Sequence, residues 1–143
     1  MISFDFAEVE KRIEPGLSGL YMIHLRDGLP LKVGIATDLR RRLRHHRQSP
    51  DSGLRLKAGG DRSRPEDVKC SRSILGKHLY YDEAIGPGYD LRTEAGRQRF
   101  LQERCVVSVQ LTPTRAEARG IERTLEASGG FRYVGAVRVR TVR

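Results

Sequence analysis

The chain has 143 residues and a mass of 16.2 kDa, the size of one domain with one core. Apolar residues make up 38% and charged residues 31%, not a disordered composition, and there are two cysteines and no run of about 18 apolar residues, which excludes a secreted disulfide scaffold, a membrane-spanning protein and, at this length, a large multidomain enzyme. Lys and Arg total 27 against 18 Asp and Glu, a net charge of +9 and a pI near 10.1, which points to a polyanionic partner.

The elements follow in chain order. Phe6, Val9 and Ile13 recur at helical spacing, which predicts a short amphipathic helix over residues 5–13, ended by Pro15-Gly16. Residues 19–25 (GLYMIHL) and 30–35 (PLKVGI) read as two strands around Arg26-Asp27-Gly28-Leu29. Asp27-Gly28 is a favoured two-residue turn, and such a turn pairs Tyr21 with Gly34 and Ile23 with Lys32. Thr37 or Asp38 caps a helix that runs to about His46.

Residues 48–66 are rich in Gly, Pro and Ser and read as a long mobile loop. A helix is expected near residues 67–80, carrying Val68, Ile74 and Leu75. Thr93 opens a short helix with Phe100 and Leu101, and residues 105–111 (CVVSVQL) form a strand. Thr114 and Glu117 make a capping box for a helix to about Ser128, stopped by Gly129-Gly130. Residues 131–142 alternate as a last strand. Cys70 and Cys105 stand apart, without metal-ligand spacing, as expected of ordinary thiols in a reduced, cytoplasmic protein. The opening segment Met1 to Phe6 has acids close behind it, unlike a signal peptide.

Five side chains stand out. On a helical wheel of about 100° per residue, Leu39 and Leu43 mark the buried face of their helix, and Arg42 and His46 fall on it. Arg40, Arg41, Arg44, His45 and Arg47 form a basic outer surface. In the hairpin, Tyr21 and Lys32 are diagonal neighbours on one face, and Gly34 opposite Tyr21 leaves room for the phenol. A cation there would draw the phenol pKa down. In the helix after Thr114, Ala118, Ile121 and Leu125 form the apolar stripe. Glu122 lies nearest its centre, Glu117 belongs to the cap, and Glu126 turns towards solvent. A solvated Lys, a satisfied core His and an Arg-paired Glu are the plain alternatives.

These residues resemble a known family. Gly19-Leu20-Tyr21, Lys32-Val33-Gly34, Asp38-Leu39, Arg42-Leu43 and His46 are similar to the core of the GIY-YIG endonucleases. Ile121-Glu122-Arg123-Thr124-Leu125 is similar to that family's metal-binding helix. The likeness covers residues 18–47 and, less closely, 114–128, and leaves 48–100 as an insertion in a single domain spanning 1–143. It implies an α+β fold, a small and mainly antiparallel sheet flanked by helices, with Gly19 and Gly34 as structural positions. It implies Tyr21 as general base for a water, Arg42 as the countercharge on the scissile phosphate, and His46 orienting Tyr21 or the phosphate. It also implies one divalent ion on Glu122, Mg2+ or alternatively Mn2+, and a 5′-phosphate product. Lys32 replaces the second Tyr of the motif, as in some restriction-type members, where it serves the first Tyr. The Asn that often follows the Glu is missing, since the chain has no Asn.

The expected partner is double-stranded DNA, with the protein a monomer or homodimer. Arg40, Arg41, Arg44 and Arg47, with Arg55, Lys57, Arg62, Arg64 and Arg72 of the insertion, are candidate DNA contacts. A fold that binds nucleic acid without cutting is the alternative. Pro50-Asp51 with Asp67-Val68-Lys69 also matches a second nuclease pattern, in which two acids and a Lys meet around a metal.

Overall fold

The computed structural model describes residues 1–71 and 73–135. Its fold is α+β. One four-stranded antiparallel sheet, in the order β1-β6-β2-β3, is formed by β1 (Ile2–Phe4), β2 (Gly19–Leu25), β3 (Pro30–Ala36) and β6 (Cys105–Leu111). A second sheet pairs β4 (Leu54–Leu56) with β5 (Val68–Cys70). The helices are α1 (Val9–Arg12), α2 (Leu39–Gln48), α3 (Ile74–Tyr80), α4 (Glu94–Arg104) and α5 (Arg115–Ala127). No described helix is long and apolar enough to cross a membrane.

The alternation of β2 divides the core. Tyr21, Ile23 and Leu25 face a cluster with Leu39 and Leu43 of α2, Leu75 and Leu79 of α3, and Phe100 and Leu101 of α4. Leu20, with Val33 and Ile35 of β3, faces α5 through Ala118, Ile121 and Leu125. Both faces of the central strand are therefore covered, as a two-sided layer architecture requires. Each fully buried leucine, such as Leu39 or Leu43, contributes about 2 kcal/mol of apolar burial.

The hairpin register is the expected one, for a different reason. Leu25 and Leu29 close a three-residue loop, with the Gly28 amide donating to the Leu25 carbonyl and Gly28 at φ 103°. A bulge between Ile23 and His24 then removes the one-residue offset, so Tyr21 still pairs with Gly34 and Ile23 with Lys32. Asp38, not Thr37, caps α2, accepting from the Arg41 amide. Thr93 and Thr114 cap α4 and α5 as expected.

Residues 48–66 are not a bare loop. Leu54 and Val68 are buried, and their strands form a hairpin whose tip is closed by Asp67, which accepts from the Asp61 amide and pairs with Lys57. The helix expected from residue 67 therefore begins only at Ile74. Ser73 caps it, while Val68-Lys69-Cys70 is used as strand. Beyond this hairpin, Leu75, Leu79, Leu91 and Phe100 belong to the main core. Residues 131–135 form no strand, although the Arg132 and Tyr133 amides donate to the Pro30 and Leu31 carbonyls. The rest of that expected strand and Arg72 lie outside the described residues.

Two arginines expected or overlooked on the surface are structural. Arg47 donates to both carboxylate oxygens of Glu10, at 2.7 and 2.5 Å, and to the Phe6 carbonyl, which ties α2 to α1. Arg97 is fully buried and donates to the Ser49 hydroxyl and carbonyl, the Leu91 carbonyl and Asp51. It thereby pins Ser49, the left-handed residue (φ 39°) that ends α2, against α4.

Arg47 holds the Glu10 carboxyl at about 2, down from an ordinary 4.5. A depressed carboxyl stabilises the fold above its unfolded pKa, and that stabilisation is lost as pH falls through the folded value. The Glu10 side chain is one-third exposed, so solvent screening limits the effect to on the order of 1 kcal/mol. Glu10→Gln is expected to lower stability by that amount at pH 7 and to flatten the wild-type loss between pH 4.5 and about 2 in urea titrations. Equal stability of the two proteins at pH 7 would assign the Arg47–Glu10 pair no role.

Candidate active site

β2 and α2 meet at a buried polar contact. The Tyr21 hydroxyl lies 2.7 Å from His46 Nε2, with the rings tilted at 57°. Both side chains are almost fully buried, at 3% and 1% exposure. Tyr21 lies flat over Gly34, where an added Cβ would overlap its Oη and Cζ atoms, so the space left by Gly34 is filled by the phenol. Gly19 has a related role: a Cβ there would collide with the Gln110 carbonyl on β6. On its other side, His46 Nδ1 lies 2.6 Å from the Ser73 hydroxyl.

The charges around this contact differ from the sequence expectation. Arg42 is exposed rather than turned inward, at the rim beside the phenol. Burial pushes the Tyr21 pKa up. Arg42 opposes that shift and Glu122 adds to it. Lys32 is not among the groups that move the phenol, so the expected lowering of Tyr21 by Lys32 does not hold. Lys32 is half-buried, and burial lowers its own pKa against the pull of Glu126 and then Glu122. His46 is driven well down by burial, with Lys32 and Arg42 adding to it, so its imidazole is neutral.

Glu122 stands on α5, on the sheet face opposite Tyr21, but β3 is the sheet edge. Around that edge its charge acts on both Tyr21 and Lys32. Glu126 does not turn to solvent; it is half-buried and is the carboxylate that acts most strongly on Lys32. Glu122 and Glu126, one helical turn apart, form a like-charged pair, and burial followed by Glu126 raises the Glu122 pKa. Among the described residues, the side chains of Lys32, Arg42, Glu122 and Glu126 make no hydrogen bond or ion pair.

The donors suit one kind of metal ion. Among the described residues no group of three or more His, Cys, Asp or Glu gathers to form a cage. Mg2+ is commonly held by one or two carboxylates, with water and phosphate oxygens completing its shell, and a crowded pair of carboxylates is relieved by such a cation. Glu122 and Glu126 fit that requirement. The second nuclease pattern does not assemble: Asp51 is held by Arg97, and Asp67 by Lys57 and the Asp61 amide.

Two grooves flank α2. One, of about 470 Å3, is lined by Arg40, Arg41 and Arg44; the other, of about 390 Å3, passes Arg41, Arg42 and Ser71. Arg40 Nε is buried without a hydrogen-bond partner among the described residues, and Arg44 lies 3.4 Å from Glu10. Arg47 is withdrawn from this basic surface by its Glu10 clamp. Of the hairpin candidates, Arg55 is exposed, Lys57 and Arg64 pair with Asp67 and Glu66, and Arg62 lies 6.0 Å from the Tyr80 ring.

Ser73, Arg97 and Glu126 belong to this neighbourhood and carry no motif in the sequence. Ser73 is legible as a helix cap, but its contact with His46 spans 27 positions. No family model matches the chain, and no curated protein or solved structure is significantly similar to it.

Proposed function

We propose that the protein is a divalent-metal-dependent DNA endonuclease of the GIY-YIG type, which hydrolyses phosphodiester bonds at the Tyr21 phenol. The observation that carries this reading is the buried Tyr21–His46 hydrogen bond, with a guanidinium and a carboxylate that have no ion-pair partner among the described residues acting on the same phenol. Burial raises the phenol's proton affinity, Arg42 opposes that rise and Glu122 adds to it, and such a phenol beside a basic groove suits proton abstraction from a water attacking a phosphate.

In this reading Tyr21 takes the proton of the attacking water. Arg42 offsets the charge that builds on the scissile phosphate. His46 is neutral and buried, so it orients the phenol rather than exchanging charge with solvent. Glu122, with Glu126 beside it, would hold the divalent ion, which supplies Lewis-acid stabilisation of the leaving 3′ oxygen. Arg40, Arg41 and Arg44 contact the phosphate backbone and make binding fall steeply with salt. One such site cuts one strand, so cutting a duplex needs two copies or two encounters.

The test is nicking of supercoiled plasmid with Mg2+, Mn2+ or chelator. Cleavage is expected only with a divalent ion, with loss of about 100-fold or more in Glu122→Ala and retained DNA binding. Cleavage unaffected by chelator would contradict the assignment of Glu122. The deep burial of the phenol favours one other reading, a module that binds nucleic acid without cutting it. DNA binding with no cleavage of plain, branched or modified duplex by any divalent ion selects that reading.

A further inference from the structure

The two grooves beside α2 share one wall. Asp38, Arg41 and His45 line both, and they stand opposite the buried Leu39, Leu43 and His46 on the turns of α2. The helix is therefore a ridge, with its inner face in the core and a groove on each side. Beyond the shared wall, Arg40 and Arg44 line one groove and Arg42 lines the other. At about 100° per residue, Arg42 falls on the opposite flank of the ridge from Arg40 and Arg44. The side chains of Arg40, Arg41 and Arg42 make no hydrogen bond or ion pair among the described residues, and Arg44 pairs only with Glu10, at 3.4 Å. Asp38, the one carboxylate on the ridge, is engaged as the cap and accepts from the Arg41 amide. Two rows of guanidinium groups held a helix-width apart match two phosphate backbones held a groove-width apart. A helix with its side chains is about 10–12 Å across. The major groove of DNA is about 12 Å wide and the minor groove about 6 Å, so only the major groove admits it. At ten residues, α2 is about 15 Å long.

We infer that α2 docks duplex DNA by entering its major groove, with Arg42 on the backbone of the strand to be cut, Arg40 and Arg44 on the backbone of the opposite strand, and the crest that carries Arg41 between them. A single strand offers one backbone and leaves one flank of the ridge without a phosphate, so the arrangement selects duplex. Arg47, on the same helix, takes no part, because Glu10 clamps it. Which strand is cut rests on the proposed role of Tyr21, since Arg42 is the guanidinium beside that phenol; the docking of the helix does not.

Binding of a short duplex without divalent ion tests the docking apart from any cutting. A duplex whose cytosines carry a glucosyl group through C5 has its major groove filled, and is expected to bind about 10-fold or more weakly. Netropsin, which fills the minor groove, is expected to change the affinity by less than about twofold. Arg42 and Arg44 are both exposed, so their replacement spares the core. Arg42→Gln and Arg44→Gln are each expected to lower the slope of log affinity against log salt by about 1, and the double variant by about 2. An unchanged slope in Arg44→Gln would leave α2 holding one strand and overturn the proposal. Binding that netropsin abolishes and glucosylation spares would overturn it too, even in a protein that cuts DNA. A protein that binds as expected and cuts nothing keeps the docking and loses the nuclease reading instead.

Discussion

Tyr21→Phe is expected to lower Mg2+-dependent DNA cleavage about 1,000-fold, the scale of a lost general base, while DNA affinity stays within about twofold. The substitution removes one hydroxyl and leaves His46 Nε2 buried without a partner, so stability should fall by about 1–3 kcal/mol without loss of the fold. The pH dependence follows from the charges. A base acts deprotonated, and burial raises the Tyr21 pKa, so the phenolate fraction and the rate should climb through neutral into alkaline pH. Arg42 lowers that pKa, so Arg42→Gln should shift the rising limb to still higher pH. Equal rates for Tyr21→Phe and wild type in single turnover would remove the phenol from the chemistry.

The second large effect is expected at a residue that touches no substrate. The Cβ of Gly34→Ala would come within 2.3 Å of the Tyr21 Oη and 2.4 Å of its Cζ, so the ring must leave its place against His46. Overpacking of this kind costs about 1–3 kcal/mol. The larger consequence is that the phenol no longer meets His46, and cleavage should fall towards the Tyr21→Phe level. Two measurements check this: the melting temperature, and single-turnover cleavage of end-labelled duplex. A variant that cuts like wild type would show that the phenol can work from another position. Gly34 needs its missing side chain for space, not for backbone freedom, since it is absent from the positive-φ glycines.

How much of this was legible in the sequence depends on distance along the chain. β2, β6 and α5 were readable because period-2 and period-3.6 patterns and Thr caps are local signals. The Tyr21–Gly34 pair was readable because a short turn fixes register, although the loop and the bulge each differ from a simple turn by one residue and cancel. Burial of His46 followed from its place beside Leu39 and Leu43. Arg42 shared that arc, but a long cationic side chain at its margin reaches solvent instead.

The hairpin of residues 54–70 was hidden because charged residues crowd it and Gly59-Gly60 and Pro65 interrupt any alternation, while its buried apolar anchors are few, Leu54, Val68 and Pro65. Ser73, Arg97 and Glu126 were hidden for another reason. Their roles come from partners brought together by the tertiary fold: His46, Ser49 and Lys32. A wheel drawn for α5 alone turns Glu126 to solvent, because it does not include the edge of β3.

Replacing Tyr21 with a ring-fluorinated tyrosine tests the phenol's role most directly, because fluorine acidifies the hydroxyl and leaves its shape nearly unchanged. The quantity to measure is the pH–rate profile of Mg2+-dependent, single-turnover cleavage of duplex DNA. If Tyr21 accepts the water's proton, the rising limb moves to lower pH than in the wild-type protein. A limb that stays where it was, in a protein that still cuts, would contradict the account.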